Sequence, residues 1–430
     1  MSPRPEIRLS GGLLSLTGYE ARANASNQFQ TASDALNQLR YGFFGEIGGL
    51  LSAVKKAHRE LGPTKRETVR EELGDALWYF TTIVRQHGLT LEAVGEAALL
   101  DLQRRLEISD KQPAVKPLMF RQFDGLLTFC LGKLPESKDQ LLCDLAARTG
   151  EALAKDAAHE SDLGAHPPAP LLANLLADMV MVAASFGLDI GEVAERNLLK
   201  IESRWPPAGA KYIDFFDADL QPLEQLPRQM SIHFVERVLN GKAFVIQQLN
   251  GVNIGDRLTD NRTEADGYRF HDVFHFAYVA HLGWSPVVRG LLKVKRKSNP
   301  DTDENQDGAR AMIIEEGIAT WIFNHAHKRK YFEGVPKSKL EYSLLKQVSD
   351  MVSGYEVDQC PLWQWELAIL QGFDVFRQLR DARTGIVHVD MDKHAIWFEH
   401  ARTVEPSPTE RPDRGDSIDH LTTTAGAVVQ

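Results

Sequence analysis

The sequence contains little cysteine: three residues in 430, namely Cys130, Cys143 and Cys360. An odd number of widely separated cysteines predicts neither a disulfide framework nor a zinc site built from paired cysteines. We expect the three side chains to act as small buried hydrophobic groups in a reducing compartment. The N-terminus has no apolar signal core, so we expect a cytoplasmic protein.

Long hydrophobic runs and an excess of positive charge are also lacking. The most apolar stretch, residues 171–190, is interrupted by Asp178 and is too short to span a bilayer. The net charge of −10 argues against direct binding to nucleic acid or to an anionic membrane. The length and the ordinary share of hydrophobic residues predict about two or three globular domains.

Two common motifs of phosphate and acyl chemistry are absent. The chain has no glycine-rich phosphate loop followed by Lys and Ser or Thr, and it has no Gly-x-Ser-x-Gly nucleophile elbow. Phosphoryl chemistry, if the chain performs it, therefore has to use carboxylates and a metal ion.

Helical spacing of apolar residues dominates residues 12–108, and the same plan recurs downstream. Each copy has an apolar helix, a Gly-Leu turn and a helix with a basic end. The turn is Gly88-Leu89 in the first copy and Gly187-Leu188 in the second. We interpret this pattern as a diverged internal duplication whose copies bury each other's apolar faces. An unrelated helical hairpin is the alternative for the second copy.

Three carboxylates fall on two neighbouring predicted helices. Glu46 lies in "GEIGG", while Glu72 and Asp75 share one helix face in "EELGD". If the two helices pack antiparallel, these side chains meet and offer the oxygen ligands that magnesium prefers. A solvated acidic helix face is the alternative interpretation, with Glu71 interacting favourably with the helix dipole.

The segment "GEIGGLLSAVKK…REELGDALWYF…HGLTLEAV" resembles the all-α nucleoside triphosphate pyrophosphohydrolases, the MazG-like superfamily. The family signature is Glu-x-x-Glu on one helix and Glu-x-x-Asp on the next. Glu46, Glu72 and Asp75 match three of these four positions. The resemblance implies a mainly α fold: a tandem MazG-like helical bundle, with one intact and one degenerate copy, followed by a mostly helical α+β C-terminal domain.

The same resemblance implies an activity, which is magnesium-dependent hydrolysis of (d)NTP to (d)NMP and pyrophosphate, with manganese as an alternative cofactor. The residues that it assigns to the site are the metal ligands Glu46, Glu72 and Asp75, the candidate base Glu71, and the phosphate-binding residues Lys55 and Lys56. Lysine stems that cover apolar surface are the alternative for the last two. We also expect a homodimer with an intrachain pseudo-dimer, because the family assembles as dimers or tandem pseudo-dimers.

One position departs from the family pattern, since the second Glu of the first pair falls on Gly49. Three interpretations stay open: magnesium keeps an additional water, a carboxylate such as Glu151 replaces the missing one, or the site has lost its activity. In the second copy, Glu151 corresponds to Gly49 and Arg148 corresponds to Glu46. An ungapped alignment of the second copy to the first does not keep the acidic pair of Glu72 and Asp75. An alignment shifted by one helical turn places Asp178 opposite Asp75 but still lacks the glutamate.

A second candidate metal site lies further along the chain. His271 and His275 are four positions apart, which places two imidazoles on one helix face. Glu315 and Glu316 fall on a later predicted helix, and two histidines with a glutamate can hold zinc, manganese or iron with an open position. Structural histidines are the alternative, with Glu315 paired to Arg310.

The predicted domains are 1–114 for the first repeat, 115–206 for the second, 207–402 for the C-terminal domain and 403–430 for a disordered tail. Residues 210–400 resemble the extra C-terminal domain of some bacterial MazG-like proteins, and this resemblance leaves the activity of the domain open. The leading hypothesis is therefore the pyrophosphohydrolase. The alternatives are a metal-dependent hydrolase centred on the histidines and a non-catalytic nucleotide-sensing regulator.

Turn signals give a coarse prediction for the C-terminal domain. Asn-Gly and Gly-Asp dipeptides predict strands within residues 231–261. Helices are predicted at 270–290, 308–332 and 337–354.

Overall fold

The computed structural model describes residues 13–29, 34–60, 62, 65–109, 113–130, 134, 136–158 and 169–401. These residues are mainly helical, with one five-stranded antiparallel sheet in the C-terminal part, so the predicted fold class is confirmed. One hydrophobic core is built from residues between 16 and 201, and a separate core from residues between 226 and 396. The predicted tail at 403–430 lies outside the described residues.

Eight helices of the described residues form the N-terminal part. They are α1 (Leu16–Ala25), α2 (Ala35–Arg59), α3 (Arg66–Gln86), α4 (Leu91–Arg105), α5 (Phe120–Cys130), α6 (Lys138–Ala158), α7 (Ala169–Ser185) and α8 (Ile190–Arg204). Gly88 and Gly187, just after α3 and α7, have φ values of 71° and 67°. This left-handed conformation suits glycine and ends a helix, so the two Gly-Leu turns mark the same place in each half.

The two halves repeat each other's packing. Helix α2 packs on α3 as α6 packs on α7, and the last helix of each half crosses to the other half: α4 packs on α7, and α8 packs on α3. An antiparallel backbone bridge joins Ser15 and Met119, which directly precede α1 and α5. As a consequence, α8 from the second half faces the acidic segment of α3.

Helix α7 is the most apolar of these helices and lies inside the N-terminal core, where nearly every residue from 171 to 184 is buried. A helix that is apolar all round is expected to be enclosed in this way. No single helix among the described residues is long and apolar enough to cross a membrane; α7 and α8 taken together meet the length and composition requirement, but they are bent by 99°.

The C-terminal part combines a sheet with helices. Its strands are β1 (Gln229–Leu239), β2 (Lys242–Leu249), β3 (Val252–Leu258), β4 (Thr384–Asp390) and β5 (Ala395–His400), in the order β3-β2-β1-β4-β5. Its helices are α9 (Asp272–Leu282), α10 (Pro286–Leu292), α11 (Pro300–Asn305), α12 (Ala309–His327), α13 (Tyr342–Met351) and α14 (Leu362–Ala382). Short 3₁₀ helices lie at Pro222–Glu224, Tyr268–Phe270, Lys330–Phe332 and Glu356–Gln359.

The predicted strands at 231–261 are confirmed as β1 to β3. Two-residue turns join them, and both residues of Asn240-Gly241 and of Asn250-Gly251 have positive φ, as tight hairpins require. Helices α9, α12 and α13 lie within the predicted helical ranges, and α10 begins inside the range 270–290 but ends two residues beyond it. Helix α14 and strands β4 and β5 were not predicted.

Helix α9 positions the second candidate site because it is buried along its whole length. It packs against α14, α12, the inner strand β4 and the edge strand β5. Polar side chains on such a helix must find partners inside the core.

The cysteines follow the prediction only in part. Cys130 and Cys360 are buried, whereas Cys143 is exposed, so the prediction of three buried cysteines is wrong at this position. The reason is helical periodicity, because the neighbouring positions Leu142 and Leu145 turn the buried face of α6 away from residue 143.

Candidate functional site

The predicted carboxylates on α2 and α3 are neighbours. Glu46 and Glu72 share a hydrogen bond, and Asp75 lies close enough to act on the charge of Glu46. Burial, followed by the negative charges of Asp75 and Glu72, raises the pKa of Glu46 to about 7. Burial also raises the pKa of Glu72 and that of Asp75. The surroundings therefore disfavour the simultaneous ionisation of all three carboxyl groups.

Gly49 faces this group. It lies on α2 one turn after Glu46, and a Cβ at this position would collide with the carboxylate of Glu72. Glu72 thus occupies the space that a side chain at position 49 would need. The position where the family pattern has its fourth carboxylate therefore points into the site rather than toward solvent.

Two side chains of α8 complete the carboxylate group. Lys200 Nζ lies 3.0 Å from Glu71 Oε1 and contacts Asp75 Oδ2, and Asn197 Nδ2 donates to Asp75 Oδ1 over 3.1 Å. The Tyr19 hydroxyl donates to Asn197 Oδ1 over 2.9 Å and so fixes the amide. Burial lowers the pKa of Lys200, but the attraction of Asp75 and Glu71 outweighs it, so the pKa is raised and the lysine stays charged.

Sequence reasoning missed Lys200 and Asn197. Their spacing of three residues on one face of α8 was a readable signal. The packing of α8 against α3 was not readable, because it joins segments more than 100 residues apart.

The C-terminal part reaches the same site through α13. Lys346 Nζ lies 2.6 Å from Glu71 Oε1, and the Tyr342 hydroxyl lies 3.4 Å from the same oxygen. Burial raises the pKa of Glu71, but Lys200 and Lys346 outweigh it and the pKa is lowered. Glu71 is therefore an ionised residue that joins both repeats and the C-terminal part.

A wide, open cleft reaches Glu71, whereas Glu46, Glu72 and Asp75 are not among the residues that line it. Glu71, Asn197, Lys200, Tyr342 and Lys346 are among its lining residues, so it lies between α3, α8 and the C-terminal part. Positive and negative side chains thus meet at one concave surface, as a binding site for a charged ligand requires.

The contacts described above do not include three further predicted residues. Lys55 and Lys56 are exposed on α2, and Glu151 is exposed on α6. The charges that shift the pKa of Glu46 come from Asp75, Glu72 and Lys200.

The carboxylate site fits magnesium by its donor chemistry, since it offers hard oxygen ligands and an unbalanced negative charge. Its oxygens are not gathered into a preformed cage, however. Among the described residues, a single group has three ligand atoms within 4.8 Å of one another, and it is not this carboxylate group. A metal ion bound by Glu46, Glu72 and Asp75 therefore requires these side chains to move closer together.

That other group is His271, His275 and Glu316. Helix α9 supplies His275, the residue before α9 is His271, and α12 supplies Glu316. Glu316 Oε2 lies 3.5 Å from His275 Nε2 and 3.7 Å from His271 Nε2. The predicted pairing of the two histidines with a glutamate of the later helix thus appears as a compact cluster.

Glu315 has a different position from its neighbour. Its fully buried carboxylate accepts hydrogen bonds from Ser285 Oγ over 2.6 Å and from the Val287 amide over 2.8 Å, and it lies 2.8 Å from His275 Nδ1. Because its oxygens are occupied, Glu315 is not part of the ligand cluster and instead orients His275. The sequence had treated Glu315 and Glu316 as equivalent candidates.

Comparison with known proteins identifies one part of the chain. Residues 211–402 match the family model of the MazG C-terminal domain, so this part is a MazG-type C-terminal domain, as the sequence predicted. The matched range does not include α1 to α8. No curated protein and no solved structure matches the chain.

Proposed function

We propose that the chain is a magnesium-dependent nucleoside triphosphate pyrophosphohydrolase that converts (d)NTP to (d)NMP and pyrophosphate. The proposed site lies between α2, α3 and α8, on the border of the cleft. The observation that carries the proposal is the meeting of Glu46, Glu72 and Asp75 with Lys200 across the two repeats. The match of the C-terminal part to a MazG domain supports the same class of activity.

Glu46, Glu72 and Asp75 are the proposed magnesium ligands. Magnesium, when bound, supplies positive charge that offsets the charge of the substrate phosphates. Lys200 is held in place by Glu71 and can exchange Asp75 for a phosphate oxygen, because both are anionic acceptors.

Glu71 suits a positioning role better than the role of a base. Its lowered pKa and its contacts with Lys200 and Lys346 make it a weak proton acceptor at neutral pH. Glu46 has a pKa of about 7, which is near the optimum for proton transfer at that pH. Glu46 must be ionised both to accept a proton and to bind magnesium. In either role, we expect activity to increase as the pH rises through about 7.

The proposal is tested by measuring pyrophosphate release from a panel of ribo- and deoxyribonucleoside triphosphates with magnesium. We expect Asp75→Asn to lower kcat/KM by at least about 100-fold, because it removes a charge that contacts both the cation site and Lys200. Asp381→Asn is the control, since Asp381 is not among the residues that line the cleft and its side chain is 71% exposed.

Two results would contradict the proposal: no turnover of any nucleotide, or full activity in Asp75→Asn. Tight nucleotide binding without turnover would instead support the nucleotide-sensing regulator. Activity that survives Asp75→Asn but is lost on changes at the histidine cluster would support the C-terminal hydrolase.

A further inference from the structure

The imidazoles of His271 and His275 are held in a fixed orientation by partners on one side. His271 Nδ1 lies 2.9 Å from the backbone oxygen of Tyr268, and His275 Nδ1 lies 2.8 Å from Glu315 Oε1. A carbonyl oxygen and a carboxylate accept hydrogen bonds, so each Nδ1 donates its proton. Each Nε2 of a neutral ring then carries a lone pair, and this arrangement is the usual support of metal-bound histidines.

Both Nε2 atoms face carboxylate oxygens rather than hydrogen-bond donors. His275 Nε2 is fully buried and has no hydrogen-bond partner, although Glu316 Oε2 lies 3.5 Å away. His271 Nε2 lies 3.1 Å from Asp272 Oδ1. A lone pair that faces a carboxylate is repelled by it unless a proton or a metal ion lies between them.

We propose that His271, His275 and Glu316 bind a divalent transition metal ion, and that this site is independent of the carboxylate site on α2 and α3. Two imidazole nitrogens and one carboxylate favour zinc, iron or manganese over magnesium. Glu315 is a positioning residue for His275. Asp272 Oδ1 lies 3.1 Å from His271 Nε2 but is not part of this group.

The surroundings leave a route to this site. The side chains of His275 and His271 are 0% and 8% exposed, whereas that of Glu316 is 44% exposed. The ion therefore contacts the core on the histidine side and solvent on the glutamate side. Three protein ligands with an open side leave room for water or a substrate group, which is typical of catalytic rather than structural metal sites.

The test uses the full chain, stripped with a chelator and titrated with Co²⁺ and with Zn²⁺. Bound metal is measured by elemental analysis after desalting, and Co²⁺ coordination by its visible absorption. We expect one tightly bound ion per chain, and affinity at least about tenfold lower in His271→Ala and in Glu316→Gln. Glu315→Gln is expected to weaken binding by about 10- to 100-fold through the orientation of His275.

Two controls separate this site from other candidates. His388→Ala changes a histidine that is paired with Glu399 at 2.9 Å but belongs to no such cluster, and binding should be unchanged. Asp75→Asn should also retain the ion, because it affects only the site on α2 and α3. Circular dichroism and thermal melts show that each variant is folded; Glu316, being partly exposed, is the variant of choice for this reason.

The proposal is overturned if folded wild-type protein binds no stoichiometric Co²⁺ or Zn²⁺. An imidazolium of His275 between Glu315 and Glu316 would then explain the cluster. Binding that is unchanged in both His271→Ala and Glu316→Gln, or lost only in Asp75→Asn, would also overturn it. None of these outcomes depends on pyrophosphate release, so the two proposals can fail separately.

Discussion

The two repeats both place charged side chains where their helices meet, but the balance of positive and negative charge differs between them. In the first repeat, Asp75 on α3 meets Lys200 on α8, and Glu46 and Glu72 add two more carboxyl groups. The positive charge comes from the other repeat, so neither copy makes this site alone. With three carboxyl groups next to one shared lysine, the negative charge is in excess.

In the second repeat, arginines neutralise the acidic residue at the corresponding contacts. Asp178 on α7 pairs with Arg105 on α4 at 2.6 Å and with Arg148 on α6 at 2.8 Å. Arg148 takes the place that Glu46 has in the first copy, so one replacement reverses the sign of the charge. A cluster that is neutralised by its own side chains needs no ligand, whereas an excess of carboxylates favours a bound cation.

The largest expected effect is on the stability of the cluster formed by Asp178, Arg105 and Arg148. Asp178→Asn should destabilise the fold by about 3 kcal/mol, because it removes the carboxylate that Arg105 and Arg148 share and leaves Arg105 with Asp101 as its acidic partner. Urea unfolding measures the change. Asp381→Asn, at an ion-paired residue whose side chain is 71% exposed, should stay within about 0.5 kcal/mol. Equal effects in the two variants would show that the second cluster has no structural role.

The next effect concerns the lysine that the second repeat supplies to the first. Lys200→Gln should lower kcat/KM for nucleotide hydrolysis by about 100-fold, since it removes a partly buried positive charge at the proposed phosphate position. The measurement is pyrophosphate release at saturating magnesium. Lys211→Gln, at an exposed lysine, is the control. Unchanged activity in Lys200→Gln would restrict the site to the first repeat.

The smallest effect is the pH dependence of metal-free stability. The pKa of Glu46 is raised by folding to about 7 from an ordinary value of 4.5, so the folded state binds the proton more tightly than the unfolded state. The associated stability is complete below pH 4.5 and is lost as the pH rises through 7. We expect a loss of about 1 kcal/mol, after allowance for solvent screening of this half-buried group.

Urea unfolding in the presence of a chelator, at pH 5 and at pH 8, measures this loss. Glu46→Gln should remove it, because the amide resembles the protonated acid at both pH values. Glu67→Gln should behave like the wild type. If the pH dependence of stability is the same in Glu46→Gln and in the wild type, Glu46 is not the group whose ionisation destabilises the fold.

Local patterns in the sequence carried much of the fold and part of the candidate site. The helical spacing, the two Gly-Leu turns and the Asn-Gly hairpins depend on residues close in the chain, and these elements were predictable. Strand β4 was not, because it pairs with β1 from more than 140 residues earlier and its stability comes from that pairing.

The sequence by itself identified the candidate site residues: the carboxylates of α2 and α3, and the histidine pair at α9. Only the tertiary structure decided their partners. It brought Lys200 and Lys346 to Glu71, and it separated Glu316, beside the histidines, from Glu315, which is tied to Ser285. Successive helical residues point about 100° apart, so the packing of α12 against α9 determines which of two adjacent glutamates faces the histidines.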